Sequence, residues 1–216
     1  MLCRRSLAGA LATLALLLGV IAQAQDAPTG SSSSKAKHNT EQHVKAQPAP
    51  TENGQGVYRN ADFGFSYHVP YGWVDRTKDM QPDAGDPAMP QLLLAVFERP
   101  PEVTGNTVNS AVIITAETAA SYPGLKTALD YMGPLTELTT GKGFKVRQEP
   151  YEFPVGSKQL VRGDFAKDLG KLTMHQSSLV LLHKGSVVSF TFIGGSEDEV
   201  EELIEKLALG AATKGR

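Results

Sequence analysis

Five histidines, one cysteine and scattered carboxylates are the only residues from which chemistry could be built in this chain of 216 residues. Cys3 stands alone, so neither an intrachain disulfide nor a thiolate metal site can form. His38 and His43 lie in a Ser/Pro/Gln-rich stretch without nearby carboxylate ligands and read as solvated side chains. His175 and His183 share a parity on one expected strand. Eight residues at 3.4 Å each would hold them about 27 Å apart, too far to share a metal. His68 sits on a separate strand and could meet one of them only across a sheet. Asp79, Asp83 and Asp86 are spaced acids, but they lack the D-x-D-x-D-G register and the twelfth-position Glu of a calcium loop. Asp164 and Asp168 read as a solvated pair beside a turn.

The motifs of common chemistries do not occur. There is no G-x-S-x-G elbow, H-E-x-x-H helix or dinucleotide fingerprint. Gly141-Lys142-Gly143 lacks the first Gly and the final Ser/Thr of a phosphate-binding loop, with Thr136 and Gly143 in their places. No catalytic residue, no metal ligand and no cofactor is therefore assigned. A hydrolase using an unrecognised constellation near His68, His175 or His183 is the alternative.

The elements that must position any site follow from periodicity. Residues 1–24 read as a secretory signal peptide: Arg4-Arg5, a 16-residue apolar run over Leu7–Ala22, then Ala22-Gln23-Ala24. An uncleaved anchor is the alternative, but the run spans only about 24 Å as a helix, short of a ~30 Å hydrocarbon core. Losing Arg4 and Arg5 takes the basic count from 21 to 19 against 23 acids, a net charge of −4. That balance argues against a nucleic-acid surface. Membrane association is expected only if the leader is retained. Residues 25–56 read as a disordered linker, since Val44 is their only large aliphatic residue. The globular part is expected over 57–210, with a flexible tail at 211–216.

Within 57–210, Val57–Val69 reads as a hairpin whose Phe63, Phe65, Tyr67 and Val69 share one parity and point inward. Asn60-Ala61-Asp62 supplies its turn and Pro70 ends it. Tyr67, Tyr71 and Trp73 could floor a ligand pocket, or simply pack. Ser66, His68 and Tyr71 are the candidates for ligand binding. Gln91–Glu98 and Ser110–Glu117 are apolar enough to be central strands. Ser121–Thr139 reads as a helix capped by Ser121, with an apolar stripe of Leu125, Leu129, Met132, Leu135 and Leu138 and a kink at Gly133-Pro134. Four strands follow at 144–153, 158–167, 172–182 and 186–193, the last two joined by a tight turn at His183–Ser186. A final helix is expected over Ser196–Leu209, with Ser196 and Glu199 forming a capping box.

Read in order, these elements resemble the PsbP-like superfamily, which includes the extrinsic photosystem II protein and the bacterial DcrB-like lipoproteins. The matching residues are Tyr58, Phe63 to Tyr67, Pro70 and Trp73, supported by Ser178 to Phe192 and Ser196 to Leu207. The resemblance implies an α+β fold, an α/β/α sandwich with a central, mainly antiparallel sheet and helices on both faces. It also implies a non-enzymatic accessory protein that binds an envelope protein or a small ligand. No metal or partner residue carries over. The lipid-bearing cysteine of DcrB-like members has no counterpart, because Cys3 precedes the apolar run.

Overall fold

A computed structural model describes residues 56–81, 90–100, 102–103 and 105–210. The leader, nearly all of the linker, the tail, and Asp83 and Asp86 lie outside the described residues.

Among the described residues, ten strands form two sheets, accompanied by two α-helices and a 3-10 turn. Strands β1 (Val57–Asn60) and β2 (Phe65–His68) make the expected hairpin, closed by an Asn60 side chain that accepts from Phe63 N at 3.1 Å. Strands β3 (Val74–Asp75), β4 (Gln91–Phe97) and β5 (Ala111–Thr118) follow. Helix α1 (Ala128–Gly141) leads into the long strands β6 (Lys145–Val155), β7 (Lys158–Leu169), β8 (Leu172–His183) and β9 (Ser186–Gly194). Helix α2 (Glu197–Ile204) and strand β10 (Leu207–Leu209) complete it. Among the described residues the main sheet runs β3-β4-β5-β9-β8-β7-β6 and the small sheet β1-β2-β10, with each of these pairings antiparallel.

Strand alternation sends the apolar side chains to two cores. On β5, Ala111 and Ile113 join Tyr131, Met132 and Leu135 of α1, whereas Val112, Ile114 and Ala116 join the other core. That second core is closed by Val200, Leu203 and Ile204 of α2 together with Phe65, Tyr67, Leu207 and Leu209 of the small sheet. The second face is thus covered half by helix and half by sheet. The molecule is a sheet-rich antiparallel α+β fold rather than a balanced three-layer sandwich.

Five local expectations are corrected. Helix α1 begins at Ala128, not Ser121. Its cap is Thr127, whose hydroxyl accepts from Asp130 N while the Asp130 carboxylate accepts from Thr127 N at 2.8 Å. Ser121 belongs to the preceding 3-10 turn (Ala119–Ser121). The helix also runs unbroken through Pro134, because the carbonyl that Pro134 leaves unbonded is that of the exposed first-turn residue Asp130, where solvent replaces the lost donor. Its buried face is Tyr131, Met132, Leu135 and Thr139, and Leu129 faces solvent. Helix α2 stops at Ile204, and Leu207–Leu209 becomes a strand that pairs with Phe65–Tyr67. Ser196 caps α2 as expected, but the Glu199 carboxylate bonds Gly195 N and Ser110 Oγ instead of returning to Ser196.

Candidate functional site

A cleft of about 290 Å³ opens on the α2-covered face of the main sheet, where β6, β7 and β8 extend beyond the cover of the small sheet. Register builds its floor. On β7, Leu160 enters the second core and Arg162 and Asp164 continue the same parity; on β8, Leu179 enters that core and Ser177 and His175 continue its parity. Asp164 lies directly opposite Ser177. The floor is therefore polar where the strands outrun their apolar cover.

Arg162 is the centre of this arrangement and is only 6% exposed. Its Nε donates to Asp164 Oδ1 at 2.8 Å, Nη1 donates to Glu201 Oε2 at 3.0 Å, and Nη2 donates to both Glu201 Oε1 and, at 3.1 Å, Ser177 Oγ. Ser177 Oγ in turn donates to Asp164 Oδ1, and Tyr151 Oη donates to Asp164 Oδ2 at 3.2 Å. The guanidinium also stands over the Phe153 ring at 5.0 Å and the Tyr151 ring at 5.9 Å. Burial works against the Arg162 charge, but the hydrogen bonds it donates to the Glu201 and Asp164 carboxylates overcome it and hold its pKa above the ordinary value. Burial, and then the Asp164 charge, push the Tyr151 hydroxyl up to about 12.

This network fixes α2 to the sheet and leaves a preformed polar wall. The Ser177 hydroxyl donates its hydrogen bond to Asp164 and accepts one from Arg162, and neither bond connects it to a histidine base. His175 Nδ1 lies 3.7 Å from Glu197 Oε1, an ion pair when the imidazole is protonated. The rim adds Arg147 and Gln148. Both charge signs thus face the opening, a lining that suits a polar partner or ligand. Among the described residues, no group of three or more His, Cys, Asp or Glu side chains could hold a metal ion.

Of the histidines singled out from sequence, only His175 lines the cleft. His183 closes the far end of β8, and His68 belongs to the small sheet. Ser66 and His68 occupy the side of β2 opposite the buried Phe65 and Tyr67, and Tyr71 is 90% exposed at the tip of the turn Pro70–Trp73. No side-chain hydrogen bond connects these three. Tyr67 is core, Trp73 packs against the same core and Tyr71 points into solvent, so the three rings do not converge on one surface. Asp164, expected to be solvated, is bound to Arg162, whereas Asp168 is paired at the surface with Lys145 at 3.0 Å. The one signal that could have found the cleft was a charged pair, Arg162 and Asp164, at positions with the core parity of Leu160.

No family model matches the chain, and no curated protein matches it in sequence. Solved structures do. The chain is similar to cyanobacterial PsbP from Synechocystis at 13% identity, covering 77% of this chain and 99% of that one, with a TM-score of 0.47. It is similar to the Saccharomyces cerevisiae Ran-binding protein Mog1p at 12% identity, covering 74% and 97%, with a TM-score of 0.42. It is also similar to LpqN, involved in cell envelope biogenesis of Mycobacterium tuberculosis, at 14% identity, covering 72% and 90%, with a TM-score of 0.37.

Proposed function

We propose that this is an exported, non-enzymatic accessory protein of the cell envelope that holds a protein or small polar ligand in the cleft beside Arg162. The observation that carries this reading is the Arg162 network. It fixes the floor before any ligand arrives, and pre-organisation lowers the cost of binding. The apolar leader at residues 7–22 supports export. Among the described residues no helix is long and apolar enough to cross a membrane.

The test is purification of the full chain from envelope fractions with and without rim substitutions. Tyr151→Ala and Glu197→Lys should each lose a partner that Tyr71→Ala and His68→Ala retain. Retention by both rim variants, or loss by the hairpin variants, refutes the cleft as the binding place. Amino-terminal sequencing of the same material should begin at Gln25, and a start at Met1 would establish the tethered form instead.

A second, hydrolytic reading is favoured by one observation: His175 and Ser177 lie two residues apart on the same face of β8 in the cleft. It predicts that a serine-directed fluorophosphonate labels the protein and that Ser177→Ala abolishes the label. The binding reading predicts no Ser177-dependent label.

A further inference from the structure

The face of the main sheet toward α1 carries a second polar feature, separate from the cleft floor. Six buried polar side chains run diagonally across three strands inside the first core: Gln176 and Ser178 on β8, Thr191 and Ser189 on β9, and Thr115 and Glu117 on β5. Their parity is that of Met174, Val180, Val187, Ile193, Ala111 and Ile113, all members of that core. The path is continuous in register. Ser178 lies opposite Thr191, and Ser189 lies opposite Thr115. At its far end the Glu117 carboxylate accepts from Tyr122 Oη and, at 2.6 Å, from Tyr131 Oη. At its near end Gln176 Nε2 donates to Ser178 Oγ at 3.1 Å.

Three atoms along this path are buried without a hydrogen-bond partner: Gln176 Oε1, Ser189 Oγ and Thr115 Oγ1. Thr115 and Ser189 are 1% and 2% exposed and face one another across the ladder, yet neither bonds the other. Opposed residues on adjacent strands hold their Cβ atoms about 5 Å apart, and neighbours along a strand stand about 7 Å apart. Neither hydroxyl finds a protein partner within hydrogen-bond distance, and one water between two polar groups on facing strands supplies the missing partner to both. Interior polar groups without partners are rare in folded proteins, and three on one path have a common explanation.

We infer that this path is an internal water-binding site. Water bridges Thr115 to Ser189 and extends the hydrogen-bonded chain toward Gln176, so the ligand class is water itself.

Water-oxygen magnetic relaxation dispersion on the full chain counts long-lived internal waters directly. The wild-type protein should hold at least one that Thr115→Val with Ser189→Ala loses. An unchanged count overturns the inference. Thermal unfolding provides a second arm, because Thr115→Val replaces a hydroxyl by a methyl of the same shape. In a hydrated site the substitution strips a water of a partner and lowers Tm by about 2–4 °C. In a dry site it removes an unsatisfied polar group and leaves Tm unchanged or higher, which also overturns the inference. Should the double variant fail to fold, Ser189→Ala alone, which deletes one oxygen, carries the same relaxation measurement.

Discussion

Replacing Arg162 by Met tests whether the cleft floor is a structural clamp. Met refills most of the aliphatic volume, so the change reads charge and hydrogen bonding rather than a cavity. Two losses must be separated. The Asp164 side chain is 18% exposed and would stay behind with only Ser177 and Tyr151 as donors. Breaking a buried pair from one side costs about 3–5 kcal/mol, and the two remaining donors place Asp164 near the lower figure. The Glu201 side chain is 48% exposed and recovers water, so its pair contributes at most about 1 kcal/mol. The expected cost is about 3 kcal/mol, or a fall in Tm of roughly 6–12 °C at this domain size. Trp73, the only tryptophan, packs on the second core and gives a fluorescence signal for urea unfolding. Adding Asp164→Asn should then recover part of the loss, since it removes the stranded charge. A single variant within 1 kcal/mol of wild type would refute the clamp. So would strict additivity of the two substitutions, because coupled partners do not add.

Three further outcomes follow from the geometry. Burial raises the Glu117 carboxyl, with the Tyr122 and Tyr131 hydroxyls pulling the other way, so its stabilising contribution is full below the ordinary carboxylate value near pH 4 and is lost as pH rises through the raised value; the Tm of wild type should therefore fall relative to Glu117→Gln between pH 4 and 8, and parallel curves would contradict this. Gly156 has φ +57° and a Cβ there would sit 2.5 Å from the Leu209 carbonyl oxygen, so Gly156→Ala should cost about 2 kcal/mol and speed hydrogen exchange at residues 207–209. Lys184 and Gly185 both have positive φ, 48° and 79°, in the β8–β9 turn, so Lys184→Asn should raise Tm by about 1–2 °C in differential scanning calorimetry.

What could be read from the chain divides along the range of the forces involved. The β1–β2 and β8–β9 hairpins are local: alternation and turn residues set them, and both appear where expected. The start of α1 was misplaced because its capping box uses Asp130, not the usual Glu or Gln, and because Ser121-Tyr122-Pro123 imitates a cap. The end of α2 was overrun because Leu207 fits the helical stripe of Val200, Leu203 and Ile204, while pairing with β2, which no local pattern encodes, pulls it into a strand. The cleft was the least accessible. Arg162, Ser177 and Glu201 come from three elements, and only the β7–β8 register and the docking of α2 bring them together.

The small sheet has a consequence for how the chain is made. Its central strand, β2, is flanked by β1 at the start of the domain and by β10 at its end, and Gly210 N closes the circuit on Gly64 O at 3.1 Å. Phe65 and Tyr67 therefore gain their second neighbour only after nearly all the domain has been synthesised. A nascent chain that stops short of Leu207, or one clipped there by a protease, is left with an open strand edge and two large aromatics under a partial roof. The domain thus checks its own completeness: the last strand to appear is the one that latches the first hairpin shut.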